Sequence, residues 1–83
     1  MRILYFALLR ERVGTAEETV SPPAEVKTVA DLLAWLRSRS AGHEAALANA
    51  ALVRVAVNQD YAGPDQPVQA GDEIAIFPPV TGG

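Results

Sequence analysis

The sequence predicts an α+β domain, a mixed sheet of four to five strands with one main helix packed on one face. Three patterns point there. Residues 2–7 and Glu73–Phe77 are apolar at both odd and even positions, as strands at the centre of a sheet are. Val29, Leu32, Leu33 and Leu36 recur at i, i+3, i+4 and i+7, the stripe of an amphipathic helix. Val53, Val55 and Val57 alternate with Arg54 and Ala56, the period of a half-buried strand. Strands, then a helix, then further strands within about 80 residues is an order that buries one helix stripe on one sheet face.

Taken along the chain, Ile3, Tyr5 and Ala7 share one strand face, and Arg2, Leu4 and Phe6 the other. Residues 8–13 then read as a short helical turn that Gly14 ends. Residues 17–20 read as an edge strand, kept in solvent by Glu17 and Glu18 and closed by Pro22 and Pro23. Thr28 is placed to cap the main helix, with Asp31 in the reciprocal position of a capping box. Arg37 and Arg39 lie toward the negative end of that helix, and Trp35 borders its apolar stripe as core-edge packing. The alanine-rich residues 41–51 predict a second short helix anchored by Leu47. Residues 52–58 form the clearest strand, followed by a turn at Asn58-Gln59-Asp60, a short strand around Tyr61, and turns at Gly63-Pro64-Asp65 and Ala70-Gly71-Asp72. In the last strand Ile74 and Ile76 face one way, and Ala75 and Phe77 the other.

Composition narrows the function. Eighty-three residues make one domain that buries about 60–65% of its unfolded surface. The formal net charge of −3 argues against a nucleic-acid footprint. The apolar opening is too short for a membrane span or a signal sequence, since Arg10, Glu11 and Arg12 follow at once, so a cytoplasmic, membrane-free protein is expected. There is no cysteine, which removes thiolate nucleophiles and cysteine-ligated metals. His43 is the only histidine, in a polar stretch, and is expected to be a solvated loop or helix-end residue. No metal site is expected.

The candidate reactive segment is the ending Phe77-Pro78-Pro79-Val80-Thr81-Gly82-Gly83. Neither proline can extend a ladder, so residues 1–77 read as the folded domain and 78–83 as a protruding, stiff-based tail. Gly82 and Gly83 lack Cβ atoms and suit a narrow cleft.

These residues carry a resemblance. Tyr5-Phe6-Ala7-Leu8-Leu9-Arg10-Glu11 leading into Val13-Gly14, then Val57-Asn58-Gln59, Gly71-Asp72-Glu73-Ile74-Ala75 and the ending 77–83 resemble the MoaD/ThiS family of ubiquitin-like sulfur carriers. The full Phe-Pro-Pro-Val-Thr-Gly-Gly ending is characteristic of its molybdopterin synthase branch. The resemblance implies a β-grasp fold with its first and last strands side by side at the sheet centre. It also implies that an E1-like adenylyltransferase uses ATP to adenylate the Gly83 carboxylate, and that a sulfur donor protein converts the adduct to a thiocarboxylate. The tail, Pro78, Pro79, Val80, Thr81 and Gly82 included, then enters the large synthase subunit and gives sulfur to a cyclic pyranopterin monophosphate. Implied too are a heterotetramer of two small and two large subunits, a partner interface at Phe6, Tyr61 and Phe77, and no permanently bound cofactor.

Elementary chemistry agrees with that route. A C-terminal carboxylate, with a pKa of about 3.5, is ionised at neutral pH and attacks phosphorus, but accepts no sulfur nucleophile until it is activated. Sulfur held as a thiocarboxylate needs no thiol side chain on the carrier. Two other uses of the same tail remain open at this point: sulfur carriage for thiamine or transfer-RNA thiolation, and conjugation to a lysine as a ubiquitin-like modifier.

Overall fold

The computed structural model describes residues 1–79. Eight principal elements follow one another: β1 (Arg2–Tyr5), α1 (Ala7–Val13), β2 (Glu17–Thr19), α2 (Val29–Arg37), α3 (Ala41–Leu47), β3 (Arg54–Val57), β4 (Asp60–Ala62) and β5 (Glu73–Phe77). The strands form one sheet in the order β2-β1-β5-β3-β4, with β1 and β5 parallel at its centre and the neighbouring pairs antiparallel. This is the β-grasp arrangement, and the two strands apolar on both faces are the central pair. Pairing Ile3 with Ile74 and Tyr5 with Ile76 puts all four on one face, where none is more than 1% exposed. Val55 and Val57 extend that face, and Leu9 of α1, Val29, Leu32 and Leu36 of α2, and Leu47 of α3 cover it.

Local chemistry fixes where each helix begins. Thr28 Oγ1 accepts from the Asp31 N–H, and Asp31 accepts from the Thr28 N–H, each at 3.2 Å, so the capping box is complete even with Asp in place of Glu. The next exposed donors are also met: Val29 N–H reaches Gln66 O and Ala30 N–H reaches Pro64 O. Residues 63–67 thus cap α2 while connecting the last two strands. Trp35 is half-buried against the core, with the Arg39 guanidinium 4.8 Å from its ring centre. Gly14, at φ 95°, ends α1 by donating to Arg10 O. Ala7 begins the same helix at φ 53°, a left-handed corner that costs a non-glycine residue roughly 1–2 kcal/mol.

The region after α2 differs in detail from the sequence-based expectation. The helix over 41–51 is broken: α3 stops at Leu47, and Ala50–Leu52 form a 3-10 turn begun by Asn49, whose side-chain oxygen accepts from the Ala51 N–H. Leu52 is therefore outside the strand and 41% exposed, while Val53, Val55 and Val57 are buried as expected. The β3–β4 hairpin closes through Asn58 and Gln59, at φ 50° and 74°, between the paired residues Val57 and Asp60. Two left-handed residues in a two-residue loop make the type I′ geometry that fits strand twist.

His43 overturns its expected solvated position. It does lie in the first turn of a helix, but it is 8% exposed. Ser40 caps α3 by accepting from the His43 N–H at 3.1 Å, which turns the imidazole inward over the Tyr5 ring, 6.0 Å away between centroids. Its Nε2 lies 2.7 Å from Glu18 Oε2 and its Nδ1 lies 2.7 Å from Ser40 Oγ, while the Tyr5 hydroxyl donates to the same Glu18 oxygen at 2.7 Å. Glu18, expected to keep an edge strand wet, instead gathers Tyr5, His43 and, at 3.6 Å, Arg39.

Candidate functional site

Because the helices cover one face of the sheet, alternation leaves the other face open. Register builds it row by row. Leu4, Ala75, Ala56 and Tyr61 lie abreast across β1, β5, β3 and β4. In the next row Phe77 pairs with Arg54. Phe6 continues β1 one residue past the Tyr5–Ile76 pair, its N–H donating to Ile76 O at 3.1 Å, which brings it alongside Phe77. The opposite border is polar: Arg2 bonds Glu17 at 2.7 Å and Glu73 at 3.4 Å.

The three expected interface aromatics therefore share one face. Tyr61 is 85% exposed and Phe6 46% exposed, and Phe77 is half-buried with its ring centre 5.9 Å from that of Tyr61. Exposed aromatics in a contiguous apolar surface mark interaction sites on small domains. Burying that area against a partner yields about 25 cal/mol per Å² before association costs. Leu4, Ala75 and Arg54 complete the surface, and Ala56, on the same face, is buried among them. The Val53-Val55-Val57 alternation already placed Arg54 and Ala56 opposite the core.

The surface runs straight to the end of β5, where Pro78 and Pro79 follow. β5 is central, paired with β1 on one side as far as Ile76 and with β3 on the other as far as Phe77, and the chain then enters Pro78 and Pro79, both half-buried. The expected site residues Val80, Thr81, Gly82 and Gly83 lie outside the described residues. The start of β5 is fastened equally well. Asn58 Nδ2 donates to Asp72 Oδ1, its Oδ1 accepts from the Glu73 N–H, both at 3.0 Å, and the other Asp72 oxygen accepts from the Gln69 N–H. Among the described residues, no group of three or more His, Asp or Glu side chains is placed to hold a metal. No helix there is long and apolar enough to cross a membrane.

Residues 3–83 match the model of the ThiS family. The chain belongs to that family. Its relatives include the molybdopterin synthase sulfur carrier subunit of Escherichia coli, 41% identical over 83 residues, which cover 100% of this chain and 99% of that protein. The human protein of the same name is 38% identical, covering 100% of this chain and 93% of that one. Among solved structures, SAMP1 of Haloferax volcanii, small archaeal modifier protein 1, superposes with a TM-score of 0.74 at 32% identity over 100% of this chain and 98% of that one. This ThiS-family chain is therefore similar in sequence over its whole length to proteins named for sulfur carriage, and similar in fold to one named for modification.

Proposed function

We propose that the protein is the sulfur carrier subunit of molybdopterin synthase, acting through the carboxylate of Gly83. The observation that carries this reading is the placement of the Phe77-Pro78-Pro79 root at the end of a central strand, beside an exposed aromatic face, at the start of the ending 77–83. Full-length similarity to the Escherichia coli and human carrier subunits supports it.

In this reading the Gly83 carboxylate attacks the α-phosphorus of ATP held by an E1-like adenylyltransferase, forming an acyl-adenylate and releasing pyrophosphate. A sulfur donor protein then supplies the nucleophile that displaces AMP, leaving a thiocarboxylate. The tail enters a pocket of the large subunit, where the thiocarboxylate sulfur is delivered to a cyclic pyranopterin monophosphate, twice for each dithiolene. The carrier's own part is mechanical and recognitive. It carries Gly83 on a segment whose root, Pro78-Pro79, follows the Phe6, Tyr61 and Phe77 face, and it works in the cytoplasm, where ATP is supplied, in a heterotetramer of two small and two large subunits. The large subunit carries the catalytic pocket, and the carrier binds no cofactor of its own.

Intact mass of the protein from its native cytoplasm tests the reading. Exchange of oxygen for sulfur at the terminus adds about 16 Da, and deletion of Gly83 abolishes molybdopterin formation with the large subunit. Undiminished product from the deletion variant refutes the proposal. The resemblance to small archaeal modifier protein 1 favours one second reading, conjugation to lysine, which the same spectra reveal as high-mass adducts.

A further inference from the structure

β4 is short. It ends at Ala62, opposite Val55, so Val53 and Arg54 have no strand beside them on that side of β3. Where the sheet stops, an apolar groove of about 890 Å³ opens between the sheet edge and α2, walled by Ala30, Leu33, Ala34, Val53, Val55 and Ala62. Its walls are low because the three on the sheet side are valine or alanine, and the exposed α2 positions facing them, Ala30 and Ala34, are alanine too. Phe77 and Pro79 also line it, so the groove meets the tail root.

Arg54 lines it as well. Its guanidinium donates to Val53 O at 3.1 Å and forms no ion pair among the described residues. The other groove arginine, Arg37, is neutralised by Glu44 through two 2.8 Å bonds. An unmatched, exposed guanidinium thus stands between the aromatic face and the groove on a chain whose net charge is −3. An arginine beside a desolvatable apolar surface is the combination that anchors protein interfaces. Its planar fork matches a carboxylate.

We propose that this groove is a second docking surface for the protein that receives the tail, occupied by a segment of that partner bearing an apolar side chain followed by a carboxylate that pairs with Arg54. Two things single out this occupant. Pro79 belongs to both the groove and the tail root, so a partner that envelops the tail is already in contact with the groove wall. The unmatched cation calls for an acidic group at the groove mouth. Docking on the sheet face and in the groove together fixes the orientation of the tail root as well as its position, which contact with the sheet face alone leaves free to rotate.

This inference rests on the carrier reading, and the test separates the two. Binding of the full-length chain to the large synthase subunit of the same organism is measured by calorimetry at low and moderate salt. Arg54→Glu is expected to weaken binding about tenfold or more and to flatten its salt dependence, whereas Arg54→Lys keeps most of both. Ala34→Gln, a substitution that keeps helix propensity and places a polar chain in the groove, is expected to weaken binding by about tenfold without changing the melting temperature. If both variants bind like the wild type with the same salt slope, the groove is not a docking surface, although the carrier reading stands. If the wild type itself fails to bind the large subunit, the carrier reading falls, and this proposal with it. Loss of a self-associated species in sedimentation, with large-subunit affinity intact, assigns the groove to a second copy and also overturns the proposal.

Discussion

Glu18 shows how a single side chain can hold three elements together. It accepts from the Tyr5 hydroxyl and faces His43 Nε2, each at 2.7 Å, joining β1, β2 and α3. Burial opposes its ionisation, but hydrogen bonds from His43 and Tyr5, with the charges of His43 and Arg39, outweigh it and hold the carboxyl below its ordinary range. With a folded pKa below the unfolded one, Glu18 stabilises the fold above its unfolded value and loses that contribution as pH falls through the folded one. Urea midpoints measured from pH 7 down to pH 3 should therefore fall more steeply for the wild type than for Glu18→Gln. At pH 7 that variant should be less stable by about 1–3 kcal/mol, because the buried partners lose a charged acceptor. Tyr5 acts in the alkaline direction: burial first, then the bond to Glu18, raises its pKa. The stability it supplies is complete below the ordinary tyrosine value and drains away as pH climbs toward the raised one. Asn58 joins backbone and side-chain roles, with φ 50° in the hairpin and two side-chain bonds to the start of β5. Asn58→Ala loses both and should cost about 2–3 kcal/mol in a denaturant titration.

Between elements, α3 comes close to α1 at Gly42. A Cβ on Gly42 would stand 2.6 Å from the Arg12 carbonyl oxygen, and that oxygen belongs to helical backbone that has no rotamer to change. Gly→Ala gains roughly 1 kcal/mol of helix propensity, whereas overpacking costs about 1–3 kcal/mol, so the clash should win. Gly42→Ala is expected to lower the melting temperature by several degrees, and an unchanged melting curve would show that α1 moves freely. This contact, like the Glu18 cluster, was not legible in the sequence. Alternation and helical period reported which faces of β1, β3, β5 and α2 are apolar, and the Thr28–Asp31 cap was readable because its partners are three residues apart. His43 and Glu18 are 25 residues apart, and only the packing of α3 on the β1–β2 edge joins them. Leu52 misled for a local reason, since β-branched neighbours made it look like strand while Asn49 was already starting a 3-10 turn. The open face was better marked: parity alone set Phe6 and Phe77 off the core, although it did not report that β4 stops short and leaves the groove beside Arg54.

For the molecule as a whole, the central position of β5 means that the fold and the proposed carrier segment share a strand, and substitutions there can be sorted by which of the two they disturb. Ile74 and Ile76 face the core and are fully buried, whereas Phe77 faces the open side against Tyr61. Phe77→Ala should therefore weaken binding to the large subunit more than it weakens the fold. Equal affinity for variant and wild type in a titration would remove the aromatic face from the interface. The prolines make a different contribution. Pro78 and Pro79 follow the last ladder residue, so replacing them breaks no strand pairing, but each proline restricts the backbone where the tail leaves the sheet. Backbone freedom gained by a more flexible residue is worth about 0.4–1 kcal/mol per position, and it must be given up again when the tail is held in a pocket. The double variant Pro78→Gly with Pro79→Gly should then unfold at nearly the wild-type denaturant concentration while binding the large subunit roughly 4- to 30-fold more weakly. The loss should persist at high salt, since no charge is altered, which distinguishes it from the salt-dependent loss expected of Arg54→Glu. A double variant that binds as tightly as the wild type would mean that the diproline merely ends the strand, and that the partner alone sets the path of the tail.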